Sequence, residues 1–253
     1  MEKSFQFQQF TVRQDMCAMK VGTDATLLGA WARGGNRILD IGTGTGILAL
    51  MMAQRFAEST VVAVDIDPDA ALQAEQNFSA SPFADRLTAI CGDINTPQLL
   101  LTRLPATFST PSIEGMPNGV AACFSAIVCN PPYFVDALTC PDQQRTTARH
   151  AETLTYSQLM LAVRQLLSDD GELSLIIPAD HKSRLEAEAA LAGLFKTRQC
   201  AVRTTPRKQP KRYLLAYAKH PAETMEQTEE VLEELPGVRS PWYTALTKDF
   251  YIK

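Results

Sequence analysis

The sequence stretch that decides the fold is RILDIGTGTG, residues 37–46. Its first half, Arg37 to Ile41, is a short apolar run that predicts a buried strand, and the apolar run 47–56 predicts a helix soon after it. The three glycines between these runs allow backbone N–H groups at the start of the helix to approach a ligand closely. The stretch therefore predicts a strand–turn–helix unit with a ligand site at the turn.

Strand-like and helix-like segments alternate along the rest of the chain. Apolar β-branched runs predict further strands at 60–65, 87–91, 124–130, 172–177, 197–204 and 212–218, with helices at 68–78, 156–167 and 180–194. Because these strands are apolar rather than half-polar, we expect a doubly wound, mostly parallel, seven-stranded α/β sheet of the Rossmann-like type. The last two strands leave no room for a helix between them, so they predict an antiparallel C-terminal hairpin.

The domain organisation follows from composition along the chain. We expect one domain over residues 1–253, with 1–35 as an N-terminal segment and 220–253 as a tail. Residues 102–119 lack periodicity and are rich in Pro, Ser and Thr, which predicts a surface insertion. Residues 223–234 carry six glutamates and no basic residue, which predicts a solvated helix face.

Composition excludes several classes of protein. With 253 residues, 45% hydrophobic and 21% charged, the chain fits neither a disordered tail nor a fibre, and no apolar run approaches the roughly 20 residues of a membrane helix. Six scattered cysteines without metal-ligand spacing, and a start without a secretory signal, favour a cytoplasmic protein without a bound metal. The net charge of −4 argues against binding nucleic acid by bulk charge alone.

Three aspartates lie at the ends of the first three predicted strands. Asp40 precedes the turn glycines Gly42, Gly44 and Gly46 in the pattern GxGxG, which differs from the GxGxxG of dinucleotide-binding folds. A carboxylate facing the turn would repel a pyrophosphate but suits a ligand that carries an ammonium or sulfonium charge. The alternative is a tight turn that binds no ligand. The recurrence of acidic residues at strand ends disfavours this alternative.

The other two aspartates are placed where they could bind an adenosine. Asp65 ends the second strand, where its carboxylate can accept hydrogen bonds from both ribose hydroxyls. Asp93 follows the third strand and can accept a hydrogen bond from an adenine amine. Open α/β sheets bind ligands at the carboxyl ends of their strands, so all three aspartates are candidate ligand contacts.

The tetrapeptide Asn130-Pro131-Pro132-Tyr133 follows the fourth predicted strand. Consecutive prolines stiffen this loop and leave its carbonyls without competing N–H groups. The Asn130 amide oxygen and a neighbouring carbonyl can accept both protons of an –NH₂ group, which directs the nitrogen lone pair towards a methyl donor. Tyr133 offers a flat face on which a base can stack. The alternative is a proline-stiffened turn with a chance asparagine.

These motifs resemble those of S-adenosylmethionine-dependent methyltransferases that act on exocyclic or amide nitrogens. The N-terminal stretches FQQF, QD and MKVGTD, the segment LLGAW, the DIGTGTG turn, NPPY, ARH and the tail YTAL together resemble the bacterial tRNA(Val) (adenine(37)-N6)-methyltransferase family. The likeness covers nearly the whole chain. It implies N6-methylation of the adenosine beside the anticodon, with S-adenosylmethionine as cofactor and tRNA as partner.

The resemblance also implies that residues 1–35 cover the cofactor and the substrate, and it implies roles for individual residues. Asp40 and the three glycines would hold the methionine end of the cofactor, Asp65 the ribose and Asp93 the adenine, while the NPPY residues would be catalytic. Thr23 and Asp24 would shape the cofactor pocket, although a helix N-cap with a companion acid explains them equally well.

Basic residues indicate where RNA could bind. Between residues 189 and 222 there are eight basic residues and no acidic one, and Arg145 and Arg149 follow NPPY. We expect phosphate contacts from Arg145, Arg149, Arg207, Lys208, Lys211 and Arg212. The alternative is a solvated basic hairpin without a partner.

Other functions remain open from the sequence. An N5-glutamine methyltransferase acting on a translation protein would use the same NPPY chemistry. A nicotinamide oxidoreductase is disfavoured by GxGxG, and a non-catalytic RNA-binding module by the intact NPPY. The oligomeric state is not determined by these motifs, although a monomer is the expectation.

Overall fold

The computed structural model describes residues 4–17, 20–104, 124–131 and 154–252. Its strands are β1 Ser4–Gln6, β2 Thr11–Arg13, β3 Arg37–Ile41, β4 Thr60–Asp65, β5 Leu87–Cys91, β6 Phe124–Cys129, β7 Leu167–Pro178, β8 Phe195–Arg203, β9 Arg212–Ala218, β10 Glu226–Val231, β11 Glu233–Leu235 and β12 Val238–Arg239. Its α-helices are α1 Thr23–Trp31, α2 Ile47–Arg55, α3 Pro68–Ser79, α4 Pro97–Thr102, α5 Tyr156–Leu166, α6 Lys182–Leu191 and α7 Pro241–Thr247.

The central sheet has the strand order β10-β8-β9-β7-β6-β3-β4-β5. Strand β9 is antiparallel to both of its neighbours, and every other pairing in the sheet is parallel. One apolar cluster joins α1 and α2 to one face of the sheet, and a second joins α5 and α6 to the other face. The predicted doubly wound, mostly parallel α/β fold and its antiparallel β8–β9 pair are confirmed.

The predicted strand number and the predicted helix over 223–234 are wrong. The sheet of the described residues has eight strands, because β10 pairs in parallel with β8 along the outer edge. Pairing with β8 supplies hydrogen bonds that outweigh the solvated-helix pattern, and Thr228 and Val231 favour a strand. The glutamates then line an exposed edge, where charge hinders pairing with a further strand.

The parallel topology brings many strand ends to one side of the molecule. Strands β3 to β8 and β10 all end at the same edge of the sheet. Strand β9 runs in the opposite direction and begins at that edge. We call this side the carboxyl edge. Because open α/β sheets bind their ligands at this edge, we expect the functional site there.

The N-terminal hairpin β1–β2 packs against the C-terminal tail. The Gln8 side chain donates hydrogen bonds to the carbonyl oxygens of Lys248 and Tyr251 over 2.7 and 2.6 Å, and the rings of Phe7 and Tyr251 stack at 6.0 Å. Of the predicted insertion 102–119, Thr102 ends α4, and residues 105–119 lie outside the described residues.

Gly46 is the glycine of the turn that the packing constrains most. It caps α2 with a φ of +81°, and a Cβ built on it would lie 2.5 Å from Cε1 of the buried Phe78 on α3. Gly42 also has a positive φ, of +68°, but a Cβ there would meet nothing within 4 Å among the described residues. Gly46 therefore serves both the turn and the close approach of α3.

Replacing Gly46 with alanine should destabilise the fold more than replacing Gly42. A positive φ costs an alanine about 1–2 kcal/mol at either position, whereas overpacking against Phe78 adds about 1–3 kcal/mol at Gly46 alone. Urea unfolding of Gly46→Ala and the control Gly42→Ala measures the difference. Equal losses in the free energy of unfolding would contradict the packing role of Gly46.

Candidate cofactor and acceptor site

Four neighbouring strands bring the predicted polar residues into one row. In the order β6-β3-β4-β5, Asn130 follows β6, Asp40 lies on β3, and Asp65 ends β4. Asp93 comes two residues after β5 and completes the row. With strands about 4.8 Å apart, three spacings make the row roughly 14 Å long. The carboxyl edge thus presents one amide and three carboxylates along a line of nucleoside length.

Asp40 is fully buried beneath the glycine turn. Its Oδ2 accepts hydrogen bonds from the Thr43 hydroxyl over 2.6 Å and from the Ala49 backbone N–H over 3.2 Å. Its Oδ1 is also buried and has no hydrogen-bond partner among the described residues. One oxygen of the carboxylate therefore fixes the turn and the start of α2, and the other remains to accept a donor from a ligand.

Burial raises the pKa of Asp40 to about 7, against an ordinary value of 3.8, although the hydrogen bonds from Thr43 and Ala49 lower it in part. The neighbouring Asp65 carboxylate contributes a smaller upward shift of the same pKa. A cationic donor placed at Oδ1 would lower the pKa of Asp40 again, since an adjacent positive charge favours the ionised carboxylate.

Asp65 connects the end of β4 to the glycine turn. Its Oδ2 accepts a hydrogen bond from the Gly44 N–H over 2.8 Å, and its Oδ1 accepts one from the Asp67 N–H over 3.0 Å. Burial raises the pKa of this carboxyl as well. Each carboxylate oxygen has lone pairs left beyond these bonds, so Asp65 can still accept from two hydroxyl groups.

Asp93 and Asn130 lie at the two ends of the row. Asp93 is partly exposed, and its Oδ1 accepts a hydrogen bond from the Asn95 N–H over 2.8 Å. Asn130 is partly exposed and Pro131 is buried. Because Ile41 is in register with Cys129, Asn130 leaves the sheet at the level where Gly42 begins the glycine turn. Pro132 and Tyr133 lie outside the described residues.

Thr23 and Asp24 are at the start of α1, but neither caps it. The N-cap is Gly22, which has no side chain to offer, so the predicted helix-cap explanation is wrong. Asp24 instead forms an ion pair with Arg212 at the start of β9. Thr23 lines a cavity with the N-terminal hairpin and the tail. Their predicted contact with the cofactor stays a prediction.

Most basic residues of 189–222 are paired with acidic residues of other segments. Five of the eight form ion pairs, namely Lys196 with Glu186, Arg198 with Glu172, Arg203 with Glu229, Arg212 with Asp24 and Lys219 with Asp169. Much of the positive charge of this segment is therefore offset within the fold, and the sequence does not show which acidic partners the fold brings near.

Three basic residues of this segment remain exposed. Arg207, Lys208 and Lys211 lie in the turn between β8 and β9, and they form no ion pair with the part of the chain that the structure describes. This turn, residues 204–211, is at the carboxyl edge, and we call it the basic turn. Arg145 and Arg149 lie outside the described residues.

Sequence reasoning missed Thr43. Its hydroxyl donates the short hydrogen bond to Asp40, and its own N–H bonds to the Val64 carbonyl over 3.1 Å, which ties β3 to β4. A hydroxyl residue three positions after the aspartate, between two glycines, was the signal available in the sequence.

Two further kinds of feature are absent from the described ranges. No group of three or more His, Cys, Asp and Glu side chains there could hold a metal ion. Among the described helices, none combines the length and apolarity that crossing a membrane requires.

Arg198 forms an ion pair with Glu172 and differs in this from the exposed residues of the basic turn. Arg198 donates two hydrogen bonds to Glu172, over 2.6 and 3.2 Å, and its guanidinium lies 3.9 Å from the centre of the Trp31 ring. Its side chain is 8% exposed. Arg198 thus belongs to the interior of the fold.

Arg198→Ala should lower the free energy of unfolding by about 3–5 kcal/mol, because it leaves a half-buried carboxylate without its main partner. The matched control is Arg207→Ala in the basic turn, where we expect a change within about 0.5 kcal/mol. Urea unfolding at neutral pH measures both. A similar small effect at both positions would show that Arg198 is not structural.

Comparison with known proteins agrees with this geometry. A methyltransferase-domain family model matches residues 38–128, which include the glycine turn and end at β6. Among solved structures, a predicted O-methyltransferase from Agrobacterium tumefaciens has the same fold, with a TM-score of 0.61 at 18% identity over 90% of this chain and 96% of that one.

Curated relatives match over nearly the full length. The tRNA1(Val) (adenine(37)-N6)-methyltransferase of Bacteroides thetaiotaomicron is 43% identical, covering 98% of this chain and 97% of the relative. The enzyme of the same name from Tolumonas auensis is 42% identical, covering 99% of this chain and 97% of the relative. With the class I methyltransferase fold and the polar row at its carboxyl edge, the chain belongs to the tRNA1(Val) (adenine(37)-N6)-methyltransferase family.

Proposed function

We propose that this protein transfers a methyl group from S-adenosylmethionine to N6 of adenosine 37 in tRNA1(Val). The observation that carries the proposal is the row Asn130, Asp40, Asp65 and Asp93 along the carboxyl edge, in a chain 43% identical to a relative of that name. We further propose that residues 1–253 act as one domain and as a monomer, in the cytoplasm, where tRNA is modified.

The residues of the glycine turn fit S-adenosylmethionine. The buried Oδ1 of Asp40 has no partner among the described residues, and it suits the ammonium of the methionine end. The space beside Gly42 and Gly44 is open, which leaves room for a ligand against the backbone. When bound, the cofactor supplies an electrophilic methyl group on a sulfonium that leaves as a neutral thioether.

The acidic residues further along the row suit the adenosine part of the cofactor. Asp65 is held by the Gly44 and Asp67 N–H groups so that its free lone pairs can accept the two ribose hydroxyls. Asp93, one strand further on, accepts a hydrogen bond from the exocyclic amine of the adenine. The order of the residues matches the order of the chemical groups along the extended molecule.

Asn130 and Pro131 act on the substrate amine. Their oxygens accept the two N–H protons of the target adenine, which aligns the nitrogen lone pair with the methyl group. Pro132 stiffens the loop, and Tyr133 stacks on the base. The new bond forms between N6 and the methyl carbon as the carbon–sulfur bond breaks, and the excess proton leaves to solvent, so positioning rather than a strong base supplies the rate.

Reaching the amine requires the adenosine to leave its stack. Flipping costs less in an anticodon loop than in a duplex, because fewer pairing and stacking contacts are broken. Arg207, Lys208 and Lys211 in the basic turn contact the RNA phosphates, together with Arg145 and Arg149. The Asp24 ion pair already neutralises much of the Arg212 charge, so Arg212 orients the turn rather than adding a free cation.

Asn130→Ala should reduce kcat for methyl transfer by at least 100-fold while the affinity for S-adenosylmethionine stays within about twofold, since oriented polar contacts typically contribute 10²–10³ in rate. Single-turnover methylation of tRNA and calorimetric binding of the cofactor measure the two quantities. The contrasting variant Asp65→Asn should lose cofactor affinity instead. Retained turnover in Asn130→Ala would overturn the acceptor assignment.

The choice of substrate is tested with labelled cofactor. We expect the methyl label to enter bulk tRNA from cells that lack this enzyme and not the protein fraction of the same cells. Label in protein would favour a glutamine methyltransferase, which uses the same acceptor chemistry.

The raised pKa of Asp40 predicts a pH dependence of cofactor binding. The ionised carboxylate binds the ammonium, so protonation below about pH 7 competes with binding. The dissociation constant for S-adenosylmethionine should rise roughly eightfold between pH 7.5 and 6. Asp40→Asn should bind weakly across this range without that dependence, and a pH-independent wild type would contradict the proposal.

The same carboxyl predicts the opposite trend in stability without the cofactor. A folded-state pKa raised from 3.8 to about 7 gives a contribution that is fully present below about pH 4 and lost as the pH rises through 7. Asp40→Asn should therefore match the wild type in Tm at or below about pH 4 and exceed it increasingly up to pH 8. The gain should be about 2–4 °C per kcal/mol recovered.

A further inference from the structure

The cavity that Thr23 lines is separate from the polar row. Its volume is about 610 Å³, which is within the range of small-ligand sites. It is enclosed by the β1–β2 hairpin, the residues before and at the start of α1, the β10–β12 segment and the tail. The residues that line it and matter here are Thr23, Glu233, Arg239, Tyr243 and Tyr251.

The cavity is continuous with the carboxyl edge. The Leu232 N–H donates to the Arg203 carbonyl over 2.9 Å, and the Glu233 N–H donates to the Thr204 carbonyl over 3.0 Å. These bonds attach the cavity wall to the first residues of the basic turn. On the other side, Thr23 is adjacent to Asp24, which is ion-paired with Arg212 at the start of β9. A ligand in the cavity can therefore extend over the basic turn.

The Arg239 guanidinium forms one wall of the cavity. Its central carbon lies 4.6 Å from the centre of the Tyr251 ring and 5.6 Å from that of Tyr243, and the two tyrosine hydroxyls are 3.1 Å apart. The Tyr251 ring also stacks on Phe7. The two tyrosine rings thus support the guanidinium, and because Arg239 is exposed, the side away from these rings, its outer face, can be reached from solvent.

The charge of Arg239 remains available. Arg239 is exposed and forms no ion pair with any residue in the described ranges. The acidic lining residue Glu233 is in register with Arg239 across the β11–β12 pair, but its Oε2 accepts a hydrogen bond from the Gly237 N–H over 3.0 Å and the two side chains form no ion pair. A planar cation on aromatic support, beside a basic turn, is the kind of surface on which unpaired RNA bases stack.

We propose that this cavity binds a nucleotide of the substrate RNA that flanks the methylated adenosine. Its base stacks on the outer face of the Arg239 guanidinium, and its phosphates approach Arg207, Lys208 and Lys211 in the basic turn. Strand β10 is four positions from β6 in the sheet, so the cavity is roughly 19 Å from the acceptor end of the row. The site therefore serves a nucleotide other than the flipped one. This inference rests on the proposed tRNA methylation.

The test compares three arginine variants with an unmodified tRNA1(Val) transcript as the probe. Arg239→Gln should raise the dissociation constant for the transcript and its KM roughly tenfold, which is within the range for loss of one stacked base. The kcat and the affinity for S-adenosylmethionine should stay within twofold. Arg239→Lys keeps the charge but loses the plane, so it should recover less than half of the lost binding free energy.

Arg164→Gln is the matched control. Like Arg239, Arg164 is exposed and forms no ion pair with any residue in the described ranges, and it lies in the last turn of α5, which ends where β7 begins, at the edge of the sheet opposite the carboxyl edge. The variant therefore removes one unit of charge without touching the cavity, and we expect RNA binding by Arg164→Gln to stay within twofold of the wild type. An equal loss in both variants would reduce the effect to bulk charge and overturn the proposed site.

Two other outcomes separate this inference from the proposed function. If the wild type methylates the transcript and Arg239→Gln binds it equally well, the cavity does not bind RNA, and the proposed function stands. If the wild type neither binds nor methylates the transcript, both fail. Crosslinking of transcripts that carry 4-thiouridine two or three nucleotides from adenosine 37 should label the peptide that spans residues 239–251, and labelling only elsewhere would contradict the placement.

Discussion

The buried carboxylate of Asp40 is the interaction on which the rest of the site depends. It sits on β3, fully buried, with one oxygen bonded to Thr43 and Ala49 and the other without a partner in the described part of the chain. Burying a charge without compensation is costly, and the raised pKa expresses that cost. The bonded oxygen shapes the glycine turn, and the unbonded one is the feature that a cationic ligand would complete.

The second constraint is the direction of the strands. Parallel pairing places the ends of β6, β3, β4 and β5 side by side, so residues far apart in sequence form one short row. The same rule brings the basic turn to this edge, because β8 runs in the same direction as β7. A methyl donor and an RNA acceptor can thus meet at one edge of the sheet.

Much of this site could be predicted from the sequence because its determinants are local. The run RILDI predicts β3 with its observed bounds, and the positions of Asp65 and Asp93 follow from strands β4 and β5, whose predicted bounds are also the observed ones. Glycine spacing and proline stiffness depend on neighbouring residues alone. Roles for Pro132, Tyr133, Arg145 and Arg149 stay predictions, since these residues lie outside the described ranges.

The errors have a common physical origin in contacts between distant segments. The glutamates of β10 have the pattern of a solvated helix, and only the open edge of β8 makes them a strand. In the sequence, Arg198 has the pattern of an exposed basic residue, but the fold brings Glu172 and Trp31 into contact with it. The aromatic support of Arg239 likewise needs the N-terminal hairpin and the tail to meet, which no local pattern indicates.

The most direct measurement of the central claim is the identity and position of the methylated nucleoside. Two transcripts of tRNA1(Val), one unaltered and one with guanosine in place of adenosine 37, are incubated with enzyme and labelled cofactor, then digested to nucleosides. The account predicts N6-methyladenosine from the first transcript and no labelled nucleoside from the second. Equal labelling of both transcripts, or a different methylated nucleoside, would contradict it.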